Sequence, residues 1–200
     1  MSLTLFTCLG GHIILPSLVL VDRQDGGNLW VTPPRRVWER YELTPVELTL
    51  WSFLVAATGQ AMLETLPQLE GGCLNYFEAR NWGLHDQAEP KGPKTAKEYR
   101  NVHMHLLGRS RTATDPSWLW GEAPKFPDHA QRRSWASSYK RLRAEECQGI
   151  VEKAEVLLKT RYGMYESHLT PWSICSGCRY PTPKGNKLES LLCEECQTTA

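Results

Sequence analysis

Apolar residues near the N-terminus form two short runs separated by turn-forming residues. Ser17 to Val21 is apolar and contains β-branched side chains, and Leu29 to Thr32 is a second run of the same kind. The residues between them, Asp22 to Gly27, are mostly polar and end in two glycines. This pattern predicts a β-hairpin whose second strand is ended by Pro33 and Pro34.

The next stretch has the pattern of a long helix. Thr44 is a good N-cap, Pro45 suits the first helical position, and Glu47 completes a capping box. Apolar residues then recur at helical spacing, at Val46, Leu50, Phe53, Leu54, Ala57 and Ala61. We predict a helix that ends at about Leu66, just before Pro67.

The middle of the chain alternates between strand patterns and loops. Cys73 to Phe77 and Val102 to Leu107 are predicted strands. Gly83 to Glu98 is polar and contains two prolines and two glycines, so we predict a long loop. Asp115 to Asp128 is aromatic and rich in proline, which indicates irregular structure.

From His129 to Tyr162 the pattern becomes helical and basic. Eight Lys and Arg residues stand against four Glu, a surplus of four, so the rest of a chain with net charge +1 is about −3. An apolar stripe predicts an amphipathic helix whose basic face is solvated. The alternative is that the basic face binds phosphate. The stripe consists of Leu142, Cys147, Ile150, Val151, Ala154, Leu157 and Leu158. We place the domain boundaries at 1–128, 129–169 and 170–200.

Composition excludes several classes of protein. A hydrophobic content of 41% with 22% charged residues is typical of globular domains and excludes overall disorder or a rod. The net charge of +1 does not indicate nucleic-acid binding by the whole molecule. The sequence has no membrane-spanning run of about 18 uninterrupted apolar residues. Met1 to Val21 is uncharged but interrupted by glycine and proline, so we predict core strand plus turn rather than a signal peptide.

Four of the seven cysteines form two CxxC pairs near the C-terminus: Cys175, Cys178, Cys193 and Cys196. Two such pairs supply the four thiolates that tetrahedral zinc prefers, and the segment is too short to bury a core of its own. We predict a structural zinc ribbon that braces the fold or docks a protein. Nucleic-acid binding is the alternative role for the ribbon, and a redox pair is the alternative to zinc binding by these cysteines. Cys8, Cys73 and Cys147 are predicted buried thiols, and this cysteine usage favours the cytoplasm.

His103 and His105 lie two residues apart in the predicted strand Val102 to Leu107. Alternate side chains of a strand share a face, so we expect both imidazoles on one face, with Met104 among the residues that face the core. Such a pair can ligate a metal, divide nucleophilic and phosphate-stabilising roles, or consist of satisfied polar residues. The other histidines have no companion at ligand spacing and are predicted to be structural or solvated; they are His12, His85, His129 and His168.

The segment Asn101 to Arg109 resembles the histidine-rich strand of the histidine triad superfamily of nucleotide hydrolases and transferases. Leu29 to Arg36, Glu42 to Leu48 and Asn81-Trp82-Gly83 are similar to further family segments, in the family's order. The resemblance covers roughly residues 15 to 125. It implies an α+β fold with an antiparallel sheet and a long helix. It also implies a nucleoside phosphate or dinucleoside polyphosphate as the substrate, and it is compatible with a homodimer.

The resemblance also implies roles for individual residues. His103 would attack the α-phosphate and form a nucleotidyl-histidine, which water or another phosphate resolves. His105 would contact the phosphate oxygens or assist the leaving group. This mechanism needs no catalytic metal. The implied nucleotide- and phosphate-binding residues are Asn81, Trp82, Asn101 and Arg109.

Two positions depart from the family pattern. Asn101 stands in place of the first histidine, and Arg36 replaces a histidine common after the first strand. Asparagine forms hydrogen bonds but cannot titrate. The resemblance then implies one of the transferase-like branches, which tolerate a residue other than histidine at this position, or weak activity. Three alternatives stay open: a metal site that adds His85 or Asp86, an enzyme acting on DNA ends through the basic segment, and a binding protein without turnover.

Overall fold

The computed structural model describes residues 2–78, 81–164, 172–174 and 181–183. Its centre is a five-stranded sheet in which every neighbouring pair is antiparallel. The strands are β1 (Leu3–Cys8), β2 (Gly11–Leu15), β3 (Asn28–Thr32), β4 (Cys73–Phe77) and β5 (Met104–Arg109), in the spatial order β1-β2-β3-β5-β4. The helices are α1 (Pro45–Thr65), α2 (Ala96–Tyr99), α3 (Arg132–Ser137) and α4 (Ala144–Thr160). The predicted α+β class, with an antiparallel sheet and a long helix, is confirmed.

Helix α1 begins where the capping residues predict. The Oγ1 of Thr44 accepts the N–H of Glu47 at 3.2 Å, and the Glu47 carboxylate accepts the N–H of Thr44 at 2.8 Å. This reciprocal capping satisfies two N–H groups that the helix itself leaves without partners and contributes about 1 kcal/mol. Arg35 binds the same buried carboxylate at 2.8 Å, which compensates its charge.

One face of the sheet packs against α1 and α4 and forms the main core. Its buried residues include Ile13, Leu29, Val31 and Leu106 of the sheet, Trp51, Leu54 and Met62 of α1, and Ile150 and Leu158 of α4. Residues from the first two predicted domains, 1–128 and 129–169, therefore contribute to this one core. By length and composition α1 also passes for a membrane span, a property that core helices of soluble proteins share.

The predicted hairpin between Ser17–Val21 and the Leu29–Thr32 run is wrong. Strand β3 pairs instead with β2, and residues 17–21 form a loop. In this loop the N–H of Leu20 donates to Oδ1 of Asn28 at 2.9 Å, so a side chain satisfies backbone that a strand partner would otherwise satisfy. The apolar pattern therefore predicted the burial of Val19, Leu20 and Val21 correctly, whereas Leu18 is exposed and the predicted strand pairing is wrong.

Other boundaries agree with the sequence to different degrees. Strand β4 has the predicted bounds, whereas β5 begins and ends two residues later than predicted. The predicted helical region is interrupted at residues 138–143, between α3 and α4. Cys8 and Cys147 are buried as predicted, but Cys73 is exposed because it lies at the start of the edge strand β4.

Near the C-terminus, β6 (Trp172–Ile174) and β7 (Pro181–Pro183) pair in antiparallel fashion. The four predicted zinc ligands and His168 lie outside the described residues. The zinc ribbon therefore stays a prediction from the spacing of Cys175, Cys178, Cys193 and Cys196.

Candidate active site

The face of the sheet opposite the main core carries the two predicted histidines. His105 lies on β5, flanked in register by Trp30 on β3 and Phe77 on β4. His103 immediately precedes β5, and its Nε2 atom lies 2.8 Å from that of His105. Both side chains are buried. The strand alternation thus brings together the two residues that the sequence singled out.

Hydrogen bonds define which nitrogen carries the hydrogen in each neutral ring. The Nδ1 atom of His103 lies 3.0 Å from the backbone carbonyl oxygen of Asn101, which can only accept. Nδ1 of His103 therefore carries the hydrogen, and its Nε2 holds a lone pair that accepts from Nε2–H of His105. A lone pair at this position is the form in which an imidazole acts as a nucleophile.

A cavity of about 520 Å³ lies over the two histidines. The Trp30 ring lies 5.0 Å from the His103 ring and 5.4 Å from the His105 ring, centroid to centroid. The cavity-lining aromatic and basic side chains are Trp30, Phe77, Trp82, Phe126, Arg132 and Arg133. Its volume lies in the usual range for small-molecule sites, and its lining suits a ligand with an aromatic ring and negative charge.

The predicted binding residues differ in where they lie. Trp82 lines the cavity, and Asn81 begins the short 3₁₀ turn that carries it. Asn101 supplies its backbone carbonyl to His103, but its side chain is not part of the cavity lining. Asn101 therefore positions the candidate nucleophile through its main chain.

Asn101 and Arg36, the two departures from the family pattern, contact each other. The Nε of Arg36 donates to Oδ1 of Asn101, and an Nη of the same guanidinium donates to the carbonyl oxygen of Glu98. This clamp holds the chain just before His103. The two residues thus form one structural unit.

Arg109 lies at the far end of β5 and is not brought into the cavity. Its buried guanidinium donates to Oδ1 of Asn75 at 2.7 Å and to the carbonyl oxygens of Leu119 at 2.7 Å and Glu122 at 2.8 Å. These bonds attach the irregular segment 115–128 to the sheet. That segment carries Phe126, which lines the cavity, so Arg109 holds part of the cavity wall in place without lining the cavity itself.

Sequence reasoning missed Arg132 and Arg133 as cavity residues, and it missed the pairing of His85 with His129. These two imidazoles are stacked, with centroids 4.2 Å apart and planes within 1°. Burial, and then the positive charge of Arg132, lower the pKa of His129. The only signal in the sequence was the basic surplus of the 129–162 segment.

A metal site built from the two central histidines would need a further ligand. Within the described ranges, no three side chains of His, Cys, Asp or Glu converge in a way that could hold a metal ion. The alternative in which His85 or Asp86 completes such a site is therefore not formed by the described residues.

No protein-family model matches the sequence, and no curated protein matches it significantly. Among solved structures, the chain is similar to a histidine triad protein from Sinorhizobium meliloti 1021, with 18% identity and a TM-score of 0.42 over 76% of this chain and 89% of that chain. A TM-score of this size establishes neither a shared fold nor a shared activity. The function is therefore argued from His103, His105 and the cavity over them.

Proposed function

We propose that the protein is a nucleotidyl hydrolase or transferase that cleaves a nucleoside phosphate through a covalent intermediate on His103. The observation that carries the proposal is the placement of His103, whose Nδ1 lies 3.0 Å from the Asn101 carbonyl oxygen and whose Nε2 lies 2.8 Å from that of His105 beneath a cavity lined by aromatic and cationic side chains. A base packs well against aromatic side chains, and guanidinium groups neutralise phosphate charge. The resemblance of residues 101–109 to the histidine triad strand points to the same chemistry.

In the first proposed step, Nε2 of His103 attacks the α-phosphorus. The lone pair forms the N–P bond, and the P–O bond to the leaving group breaks with its electrons on oxygen. The ring then carries a positive charge, which the Asn101 carbonyl stabilises through Nδ1–H. His105 donates its Nε2–H to a phosphate oxygen in place of His103.

In the second step, water or a phosphorylated acceptor attacks the same phosphorus. The N–P bond breaks, and its electron pair returns to Nε2 of His103. When water is the nucleophile, its proton passes to solvent. The identity of the acceptor distinguishes a hydrolase from a transferase.

The test is to trap the intermediate. The protein is incubated with α-labelled ATP or labelled diadenosine polyphosphates, quenched without acid, and digested for mass spectrometry. Label is expected on the peptide that contains His103. His103→Ala should abolish the label and lower kcat by about 10³-fold or more, because the nucleophile is lost.

The matched control is His12→Ala, which removes a histidine on β2 whose ring contacts Thr7 at 3.0 Å, outside the cavity. It should keep both label and turnover. Label that survives in His103→Ala contradicts the covalent role of His103. Nucleotide binding without label or turnover in the unmodified protein identifies the alternative, a binding protein.

A further inference from the structure

A second cavity, of about 790 Å³, adjoins the first. Five residues line both cavities and are named here the shared wall: Trp82, Ala88, Glu89, Arg132 and Arg133. Beyond the shared wall, the second cavity is lined mainly by His85, Gln87, Asp128 and His129. The proposed mechanism on His103 uses none of these last four residues.

The stacked histidines provide hydrogen-bonding nitrogens to the second cavity. The N–H of Gln87 donates to Nδ1 of His85 at 3.2 Å, so the hydrogen of that neutral ring is on Nε2. The Nε2 of His129 is buried and makes no hydrogen bond to the described part of the chain. Buried polar atoms are normally paired, whereas His129 lines the second cavity with one nitrogen whose hydrogen-bonding capacity the described chain leaves unused.

Cationic side chains surround the histidine pair. Arg132 and Arg133 form no ion pair with any residue that the structure describes, and the Arg132 guanidinium lies 5.9 Å from the Trp82 ring centroid. The Nζ of Lys94 donates to the carbonyl oxygen of His85 at 2.9 Å, which places a third cation beside the pair. Three cations without a carboxylate partner favour an anionic ligand.

Two carboxylates line the same cavity. Glu89 and Asp128 line the cavity and form no ion pair within the described ranges either, so their carboxylates are available to accept hydrogen bonds from a ligand. A bare inorganic anion gains nothing from them. A ligand that carries hydroxyl groups next to a phosphate satisfies the guanidinium groups and the carboxylates together.

We propose that the second cavity binds a hydroxylated phosphate monoester, a sugar phosphate or a nucleotide. Its phosphate contacts Arg132, Arg133 and His129, and its hydroxyls donate to Glu89 and Asp128. The shared wall places this ligand beside the phosphate attacked by His103, where it is the leaving group or the acceptor. That role rests on the proposed function, whereas the binding itself does not.

Calorimetric titration of the full chain with ribose 5-phosphate, ribose and inorganic phosphate tests the site. Ribose 5-phosphate is expected to bind at least about tenfold more tightly than either fragment. His129→Ala, and Arg132→Gln combined with Arg133→Gln, should each weaken it by about tenfold or more. Glu89→Gln should weaken ribose 5-phosphate but leave inorganic phosphate unchanged.

Controls separate contact with the ligand from disturbed packing. His129→Gln keeps a side-chain N–H and should retain most of the affinity, and His12→Ala should retain all of it. AMP identifies the source through its dependence on His129, which lines only the second cavity. Displacement of ribose 5-phosphate by AMP with higher affinity, lost in His129→Ala, indicates a nucleotide, and no displacement indicates a sugar phosphate.

The proposal is overturned if ribose 5-phosphate does not bind, or if the His129 and Arg132/Arg133 variants bind it unchanged. It is also overturned if His12→Ala or His129→Gln lose as much affinity as His129→Ala. Binding that depends on His129 without label on His103 defeats the proposed function and leaves this site standing. Label on His103 without such binding supports the proposed function and overturns the proposal for the second cavity.

Discussion

The two faces of the central sheet are built by different means. The face toward α1 and α4 is covered by regular helices and buries mainly apolar side chains, with Glu47 and Thr58 of α1 as buried polar residues. The opposite face is covered largely by irregular segments and holds buried polar groups such as Asn28, His103, His105 and Arg109. Each of these polar groups needs a specific partner, while apolar packing needs mainly volume. One sheet thus separates the main apolar core from the face that carries the two histidines and the cavity over them.

The largest effect on stability is expected on the helix side. Leu54 is fully buried between α1 and the sheet, so Leu54→Ala should lower the free energy of unfolding by about 2–5 kcal/mol. Urea unfolding measures this, with Val156→Ala, 53% exposed on α4, as a nearly neutral control. The folded variant should bind AMP as the unmodified protein does. A large change in AMP affinity would mean that the two faces are not separate.

On the opposite face, Arg109→Met should affect stability and binding together. Loss of the guanidinium leaves the partly buried oxygens of Asn75, Leu119 and Glu122 without their donor, which costs about 1–3 kcal/mol. The loosened segment carries Phe126, so AMP affinity should fall as well. Arg111→Met, an exposed arginine over Trp120, should change neither quantity. Unchanged AMP affinity in Arg109→Met would contradict the coupling of this face to the cavity.

A smaller effect is expected at the start of α1. Thr44→Ala removes the side-chain acceptor of the Glu47 N–H, which should cost about 1 kcal/mol in urea unfolding. Ser52→Ala is the control, because its exposed hydroxyl bonds only a helix carbonyl at 2.8 Å. Since the cap lies on the helix side, AMP affinity should stay unchanged. Equal losses in both variants would contradict the capping role.

The smallest perturbation is chemical labelling, which leaves the sequence intact. Burial raises the pKa of the Cys8 thiol to about 11 and that of the Cys147 thiol to about 11, and both lie in the main core. Because their raised pKa keeps both thiols protonated at pH 8, iodoacetamide should label the exposed Cys73 at least about 100-fold faster. Peptide mapping before and after unfolding in urea measures the rates. Comparable labelling of Cys8 in the folded protein would show that the helix side opens to reagent.

The helix side is the part that the sequence predicted well, because its signals are local. Thr44, Pro45 and Glu47 lie within one helical turn, and their chemistry located the start of α1 without knowledge of the rest of the chain. The pair His103 and His105 was predictable for the same reason, since strand geometry alone places them on one face.

The remainder depends on contacts between distant segments. The loop at residues 17–21 is fixed by Asn28 rather than by a strand partner, and nothing in its own composition shows that. The stacking of His85 on His129 joins two loops that no sequence spacing relates. The role of Arg109 likewise follows from carbonyl oxygens in a segment that carries no regular pattern.

The shared wall between the two cavities has a thermodynamic consequence. Trp82 and Arg132 line both spaces, so a ligand on one side alters the surface that the other side offers to its own ligand. If occupancy of one cavity changes affinity in the other by some factor, the reverse effect has the same factor. If both proposed ligands bind, the apparent affinity for each would depend on the concentration of the other, and one set of side chains would link the two concentrations.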